Sequence, residues 1–282
     1  MIPGFGFALG ALFCFGLGDL VYKRAAAAGI EAGEFVMLQA FTFCPAITLF
    51  ALMTGTLHPH ASALWGVLAG VFLLIATYNF AQSLKGGAVS TNAPIFRLNF
   101  AITAVLAIAL LGETLTPAKI AALLCALVAV WLLLAEPGKT SGSSNMGSLA
   151  RVLVATAAMA LVNFFYKVGL ISGAEPETVI AVQAWIYTSL ATALRLMRER
   201  RLNLTPGAWR YASLAALALL FAFVFLMHGL ARGPASVLVP VAQMSFVFTA
   251  VVGAALFHER LTLRKCAGLA VAIAALALFA AS

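Results

Sequence analysis

Apolar stretches of about 20 residues follow one another along almost the whole chain, separated only by short polar or turn-forming segments. A helix needs about that length to cross the hydrocarbon core of a bilayer. Of the 282 residues, 63% are apolar and only 9% are charged, whereas soluble domains carry about a quarter charged residues. The sequence therefore predicts an all-α integral membrane protein.

The apolar stretches divide into ten candidate transmembrane helices. Their predicted bounds are 4–27, 34–54, 63–84, 88–111, 116–136, 148–171, 177–197, 209–232, 236–257 and 262–281. The segment EPGKTSGSSNMGS lies at the middle of the chain and has the Gly and Ser content of a flexible linker. The predicted units are residues 1–136 and 148–282, joined by a linker at 137–147.

The two units match each other in sequence. A shift of 146 residues aligns LKGGAVSTNAPIFRLNFAITAVLAIALLGETLTPAKIAAL with LARGPASVLVPVAQMSFVFTAVVGAALFHERLTLRKCAGL, and 16 of the 40 positions are identical. A shift of 144 pairs Tyr22-Lys23 with Tyr166-Lys167. Because five helices are an odd number, the second unit must cross the membrane in the opposite orientation. Inverted repeats of this kind enclose a central site near the bilayer midplane and suit alternating access.

Each unit closes on a similar segment, LLGETLTPAKIAALL in the first and LFHERLTLRKCAGLA in the second. With ten helices in two inverted five-helix repeats around a central cavity, the chain resembles the drug/metabolite transporter superfamily. Within it, the chain is most similar to the bacterial aromatic amino acid exporter branch. The resemblance implies a secondary transporter, not an enzyme, which exports amino acids or related small metabolites.

Other functions stay open at this point. The substrate could instead be a cationic drug or a phosphorylated metabolite, and a lipid-modifying membrane enzyme is the alternative from another class. The pair His58 and His60 in TLHPHAS has no carboxylate nearby and reads as a loop. We interpret Glu113 and Glu259, in the turns before the last helix of each unit, as structural, with Thr116 as a helix cap.

The basic residues indicate orientation rather than nucleic-acid binding. The net charge is +8, and Lys and Arg concentrate in alternate connections, above all in RLMRERRLNLTPGAWR. The positive-inside rule places these connections in the cytoplasm and both termini outside. We expect a monomeric, multi-pass protein of the cell inner membrane, whose partners are a small-molecule substrate, lipid and, as a coupling ion, protons.

No cofactor or metal site is predicted. Isolated cysteines inside apolar spans behave as small hydrophobic residues, so we expect no disulfide framework and no metal ligation. This description fits all four cysteines of the chain, Cys14, Cys44, Cys125 and Cys266.

Charged residues inside the spans are the first candidates for a substrate site, because each costs about 2.5–3.5 kcal/mol at the centre of a membrane helix. Asp19 could carry a proton or bind a substrate amine, or it could pair with Lys23, four residues later on the same helix face. Its counterpart in the second unit is Asn163. Arg97 requires a carboxylate from the protein or from a substrate, unless it snorkels or binds carbonyls freed by Pro94.

The other candidates are polar or aromatic residues of the spans. Lys23 and Lys167 could attract an anionic group at the two mouths of the path, or anchor their helices at the interface. The matched prolines Pro94 and Pro240 could act as gating hinges or as static kinks. The remaining predicted substrate-binding residues are Tyr78, Asn79, Gln82, Asn99, Trp185, His228 and Gln243.

Overall fold

A computed structural model describes residues 2–58, 60–86, 89–134, 146–199, 205–257 and 262–282. These residues form α-helices without any β-strand, which confirms the predicted fold class. Nine segments are long and apolar enough to cross a membrane, and Pro117–Leu133 is a shorter tenth. The helices are α1 (Phe5–Ala27), α2 (Ala32–Met53), α3 (Trp65–Gly86), α4 (Val89–Arg97), α5 (Asn99–Leu111), α6 (Pro117–Leu134), α7 (Met146–Ile171), α8 (Pro176–Glu199), α9 (Pro206–Arg232), α10 (Ala235–Gln243), α11 (Ser245–Phe257) and α12 (Leu263–Ala281).

The fourth and ninth spans, predicted as continuous helices, are each broken in two. The breaks fall at Leu98 and Met244, four residues after Pro94 and Pro240 respectively. Proline supplies no N–H to the carbonyl one turn before it, so the hydrogen bonding of each span is already weakened ahead of its break. The Leu98 N–H bonds instead to the carbonyl of Ile95 at 3.0 Å, as in a tighter 3-10 turn.

The packing confirms two inverted repeats. The first helix of each repeat lies against the third helix of the other, α1 on α9 and α7 on α3, and the closing helices α6 and α12 pack together. Each repeat also contains the same internal hydrogen bond. Tyr22 donates to Gln39 in the first repeat, and Tyr166 donates to Gln183 at 2.8 Å in the second.

The bundle has two ends, because successive spans alternate in direction. We call the end where α1 begins and α12 finishes the terminal end, and the end where α6 finishes and α7 begins the linker end. At the terminal end the backbones of α1 and α9 are in direct contact. A Cβ atom on Gly4, whose φ is +83°, would lie only 2.6 Å from the carbonyl oxygen of Gly229.

The predicted linker, 137–147, falls largely outside the described residues. α7 begins at Met146, two residues before the predicted start of the second unit, because Met146 and Gly147 extend its first turn. The unit boundaries themselves stay predictions.

Candidate functional site

A cavity of about 440 Å³ lies between the two repeats. Its polar lining contains five of the predicted substrate-binding residues together with Ser245: Asp19, Arg97, Asn99, Asn163 and Gln243. The rest of the lining is apolar or aromatic and comprises Phe15, Leu73, Phe80, Leu84, Ala93, Phe96, Met159, Val162, Tyr166, Phe223 and Leu226. A pocket with mainly apolar walls and a few convergent polar groups is the usual form of a small-molecule site.

Asp19 on α1 and Arg97 at the end of α4 form the charged centre of this cavity. Arg97 Nη2 lies 3.4 Å from Asp19 Oδ2, and the two side chains are 26% and 33% exposed respectively. Arg97 Nη1 also donates to Gln243 Oε1 at 3.2 Å. The guanidinium therefore finds its carboxylate within the protein, and both charged groups still face open space.

Two hydroxyl groups from α11 complete the surroundings of Asp19. Ser245 Oγ donates to Asp19 Oδ2 at 3.2 Å, and Thr249 Oγ1 lies 3.4 Å from the same oxygen. The other carboxylate oxygen, Oδ1, accepts neither of these bonds nor the bond from Arg97. Side chains from α4 and α11 therefore converge on one oxygen of this carboxylate.

The hydrogen bond of Asp19 has a counterpart on the other side of the pseudo-two-fold axis. Asn163 occupies the position of Asp19, and Asn99 occupies that of Ser245. Asn163 Nδ2 donates to Asn99 Oδ1 at 3.4 Å. The site is therefore built twice, but only one of its two copies can be ionised.

The neighbouring threonines repeat the same pattern. Thr249 Oγ1 lies 3.4 Å from the carbonyl oxygen of Gly16, and Thr103 Oγ1, in the equivalent position, lies 3.4 Å from the carbonyl oxygen of Ala160. These matched contacts place the helix after each break against the first helix of the opposite repeat.

Aromatic rings form two walls beside the charged centre. Phe80 and Phe96 are stacked with their centroids 4.4 Å apart. On the other wall Phe223 meets Phe15 edge to face at 5.4 Å and Tyr166 at 6.2 Å. Offset and edge-to-face pairs of this kind give a rigid apolar surface suited to a flat or branched side chain.

Several predicted residues lie away from the cavity. Lys167 Nζ donates to the carbonyls of Leu230 and Gly233 at 2.6 and 2.7 Å, and so holds the end of α9 at the terminal end. Trp185 is 54% exposed and donates to Thr48 Oγ1 at 3.0 Å.

His228 is also outside the cavity and lies 2.7 Å from Glu177 at the terminal end. Asn79 Nδ2 donates to the carbonyl of Ile75, one turn earlier on its own helix, at 2.9 Å. The other predicted residues that do not line the cavity are Lys23, Tyr78 and Gln82.

Glu113 joins the two repeats. Its carboxylate accepts the N–H groups of Ala235 and Ser236 at 2.7 and 2.9 Å, and so caps the first turn of α10. The predicted cap is present as well, since Thr116 Oγ1 accepts the N–H of Lys119 at 3.2 Å. The counterpart of Glu113, Glu259, lies outside the described residues.

Burial differs between the two broken spans. The residues Val239 to Ala242 of α10 are completely or almost completely buried, whereas the equivalent residues of α4, 93–96, are only half-buried. The cavity lining extends to Leu84, in the last turn of α3 at the linker end. The cavity is therefore closed at the terminal end and reaches toward the linker end.

Sequence reasoning missed Ser245 and Thr249 as ligands of Asp19. Ser and Thr occur throughout membrane helices and usually bond to their own backbone, as Thr249 also does with the carbonyl of Ser245 at 3.1 Å. The available signal was the 146-residue shift, which aligns the two residues with Asn99 and Thr103.

Comparison with known proteins places this architecture in a family. No curated protein matches the chain. A crystal structure described only as that of a protein superposes with a TM-score of 0.82 at 16% identity, over 98% of this chain and 95% of that chain, which shows a shared fold. The model of the EamA-like transporter family matches residues 2–135 and 147–281. The chain therefore belongs to the EamA-like transporter family of the drug/metabolite transporter superfamily.

Proposed function

We propose that this transporter exports amino acids with apolar or aromatic side chains. The observation that carries the proposal is the arrangement of Asp19 and Arg97, whose charged atoms lie 3.4 Å apart in one cavity between aromatic walls. The α-ammonium of an amino acid requires an anionic partner and its α-carboxylate a cationic one, and the site offers one of each. The side chain then rests on the walls formed by Phe80 and Phe223.

Charge balance favours a zwitterion over the other substrate classes. In the empty site Asp19 and Arg97 neutralise each other, which limits the cost of charge at membrane depth. A zwitterion inserted between them adds no net charge. A phosphorylated metabolite would need more cations than Arg97, and neither Lys23 nor Lys167 lines the cavity. A cationic drug would leave Arg97 without a partner when it took Asp19.

The orientation of the cavity supports export. The basic connections lie at the linker end, which we assign to the cytoplasm by the positive-inside rule. The cavity then faces the cytoplasm, where an exporter loads its substrate. The breaks after Pro94 and Pro240 supply the two places where the spans bend as access passes from one side to the other.

Asp19 supplies a site for proton coupling. Its Oδ2 atom accepts bonds from Arg97 and Ser245, and we place the proton on Oδ1. A proton on this oxygen would weaken the attraction for an ammonium group and for Arg97, so proton binding and amino acid binding exclude each other. Mutual exclusion at one group is what an antiporter requires.

The test is transport by the purified protein in liposomes, with a panel of labelled amino acids that includes phenylalanine, leucine, glutamate and lysine. Phenylalanine and leucine should be transported, and an imposed pH gradient should accelerate them. Asp19→Asn should abolish the acceleration, and Arg97→Gln should abolish transport.

Gln82→Ala is the matched control for these two variants, because Gln82 is polar and intramembrane but does not line the cavity. Transport that ignores the pH gradient would make the protein a facilitator. Transport of organic cations or sugar phosphates without any amino acid would overturn the proposal.

A further inference from the structure

A second cluster of titratable groups lies at the terminal end, outside the substrate cavity. His228 Nε2 on α9 lies 2.7 Å from Oε1 of Glu177, in the first turn of α8. Arg232, one turn further along α9, places Nη1 3.3 Å from His228 Nδ1 and 2.8 Å from the His228 carbonyl. Phe7 of α1 covers both, with its ring 5.9 Å from the imidazole and 4.6 Å from the guanidinium.

These contacts assign the proton on the imidazole. Arginine can only donate hydrogen bonds, so Nδ1 of His228 must accept in its contact with Arg232. The ring is then neutral, and its single proton lies on Nε2 and is donated to Glu177. One lone pair, on Nδ1, can accept a further proton.

A further proton on His228 would stabilise the buried carboxylate of Glu177. Its side chain is only 3% exposed, and its Oε2 atom is buried without a hydrogen-bond partner among the described residues. A buried carboxylate is costly unless it is paired, although its place in the first turn of α8 lowers that cost. Protonation of His228 converts a neutral hydrogen bond into a charge-assisted ion pair, which is stronger.

The cluster has no equivalent in the first repeat. The positions that match Glu177, His228 and Arg232 are occupied by Gly33, Gln82 and Gly86. Because the first repeat forms the same five-helix unit without these charges, the fold itself does not require them. A feature present in one of two inverted repeats acts at one face of the membrane only.

The cluster adjoins the contacts that close the terminal end. Arg232 is the last residue of α9, and α10 begins three residues later. The other charged groups at this junction are Lys167 of α7, which holds the α9 carbonyls, Glu113, which caps α10, and Lys119 of α6, which lies 3.5 Å from Ser236. Arg232 also contacts Phe7 of α1, so a change in its position acts on the contact between α9 and α1 beside this junction.

We propose that Glu177, His228 and Arg232 form a second proton-binding site, which loosens the closed terminal end when it is occupied. One proton from the solution at that end binds Nδ1 of His228, and the imidazolium pairs with Glu177 within the second repeat. The new positive charge repels the guanidinium of Arg232, which moves away from the imidazole and from the ring of Phe7 on α1. The contact between α9 and α1 at the terminal end is then weakened. The inference rests on alternating access and is independent of the substrate.

The experiment measures the gate directly, without any substrate. Spin labels are attached at Leu115→Cys and Ala231→Cys, two exposed positions on opposite sides of the contact between Glu113 and α10, after the four native cysteines are replaced by alanine. The distance between the labels is measured in lipid nanodiscs from about pH 8 to about pH 5.5, the range in which histidine titrates. Acidification should increase the population with the longer distance.

Three variants separate this site from other proton sites. His228→Gln introduces the residue that the first repeat carries, keeps a donor toward Glu177, and should abolish the pH response. Glu177→Gln should move the response to lower pH, because the imidazolium loses its anionic partner. Glu175→Ala, which removes an exposed carboxylate at the same end, should leave the response unchanged. A response that survives His228→Gln, disappears in Glu175→Ala, or is absent from the unsubstituted protein would overturn the proposal.

Discussion

Arg97 donates a hydrogen bond at 3.2 Å to Gln243, the residue that occupies its own position in the other repeat. The ends of α4 and α10 therefore meet on the pseudo-two-fold axis, beside both helix breaks. Asp19 lies beside this axis, with its Oδ2 atom 3.4 Å from Arg97 Nη2. The charged pair, both helix breaks and the symmetry axis therefore lie close together. A carrier has to combine substrate binding with movement, and this is the place where the two could be linked.

The first prediction concerns the charged pair. Asp19→Asn alone should lower the melting temperature, because Arg97 is then left without its carboxylate inside the membrane, and transport should fall about tenfold or more. The double variant Asp19→Asn, Arg97→Gln should restore the original melting temperature but not transport. Removing both charges costs far less free energy than leaving one of them unpaired. Thermal denaturation in detergent and amino acid flux in liposomes measure the two effects. Full transport by the double variant would exclude the pair from substrate binding.

The second prediction concerns the contact between α1 and α9. Gly4→Ala should destabilise the protein, because φ at this position is +83° and the new Cβ would lie 2.6 Å from the Gly229 oxygen. Gly6→Ala is the matched control, since no atom lies within 4 Å of its added Cβ. The melting temperature should fall in the first variant and stay level or rise in the second. Equal values for the two variants would contradict the described closure of the terminal end.

The third prediction concerns the carboxylate that caps α10. Glu113→Ala should cost about 1–2 kcal/mol, the range for losing a helix cap, because two N–H groups of α10 lose their acceptor. Chemical denaturation in mild detergent measures the change. Glu175→Ala, which removes an exposed carboxylate at the same end, should have little effect. A similar loss in both variants would indicate a general effect of charge rather than a cap.

The fourth prediction concerns the broken spans. Pro94→Ala and Pro240→Ala restore a backbone donor and favour a continuous helix, so each should slow transport while leaving the melting temperature level or higher. Flux in liposomes and thermal denaturation are measured on the same preparations. If the breaks are static kinks, transport will continue at its original rate in both variants.

The fifth prediction concerns orientation. In intact cells a membrane-impermeant thiol reagent should label Leu115→Cys, at the terminal end, and should not label Arg210→Cys, at the linker end. Both side chains are exposed at their positions. Permeabilised cells, in which both variants should react, provide the control. The opposite labelling pattern would place the basic connections outside and reverse the assigned direction of access.

The sequence carries enough information for the architecture because lipid imposes length and apolarity on every span. It also singles out Asp19 and Arg97, since a charge at membrane depth is rare in any helix. Their pairing is different, because neighbours along a helix, such as Asp19 and Lys23, are the only contacts that spacing reveals. Arg97 lies on a different helix from Asp19 and meets it only in the folded bundle, which no local pattern encodes.

The same limit applies to the breaks and to Glu113. Pro94 and Pro240 mark where the hydrogen bonding weakens, but the breaks fall four residues later. The helices that follow the breaks pack on the opposite repeat, α5 on α7 and α11 on α1. Glu113 lies in a segment with the composition of a turn, but the N–H groups that its carboxylate accepts belong to the other repeat. Contacts between repeats decide both features.

The unequal burial of α4 and α10 has a further consequence. The two repeats share one architecture but have different conformations here. We expect each repeat to be able to adopt the conformation of the other. Exchanging the shapes would bury Ala93 as Val239 is buried now, and would uncover Val239 in its place. In the alternating access proposed above, the states open to the two sides would therefore be related by a two-fold rotation about an axis that lies in the plane of the membrane.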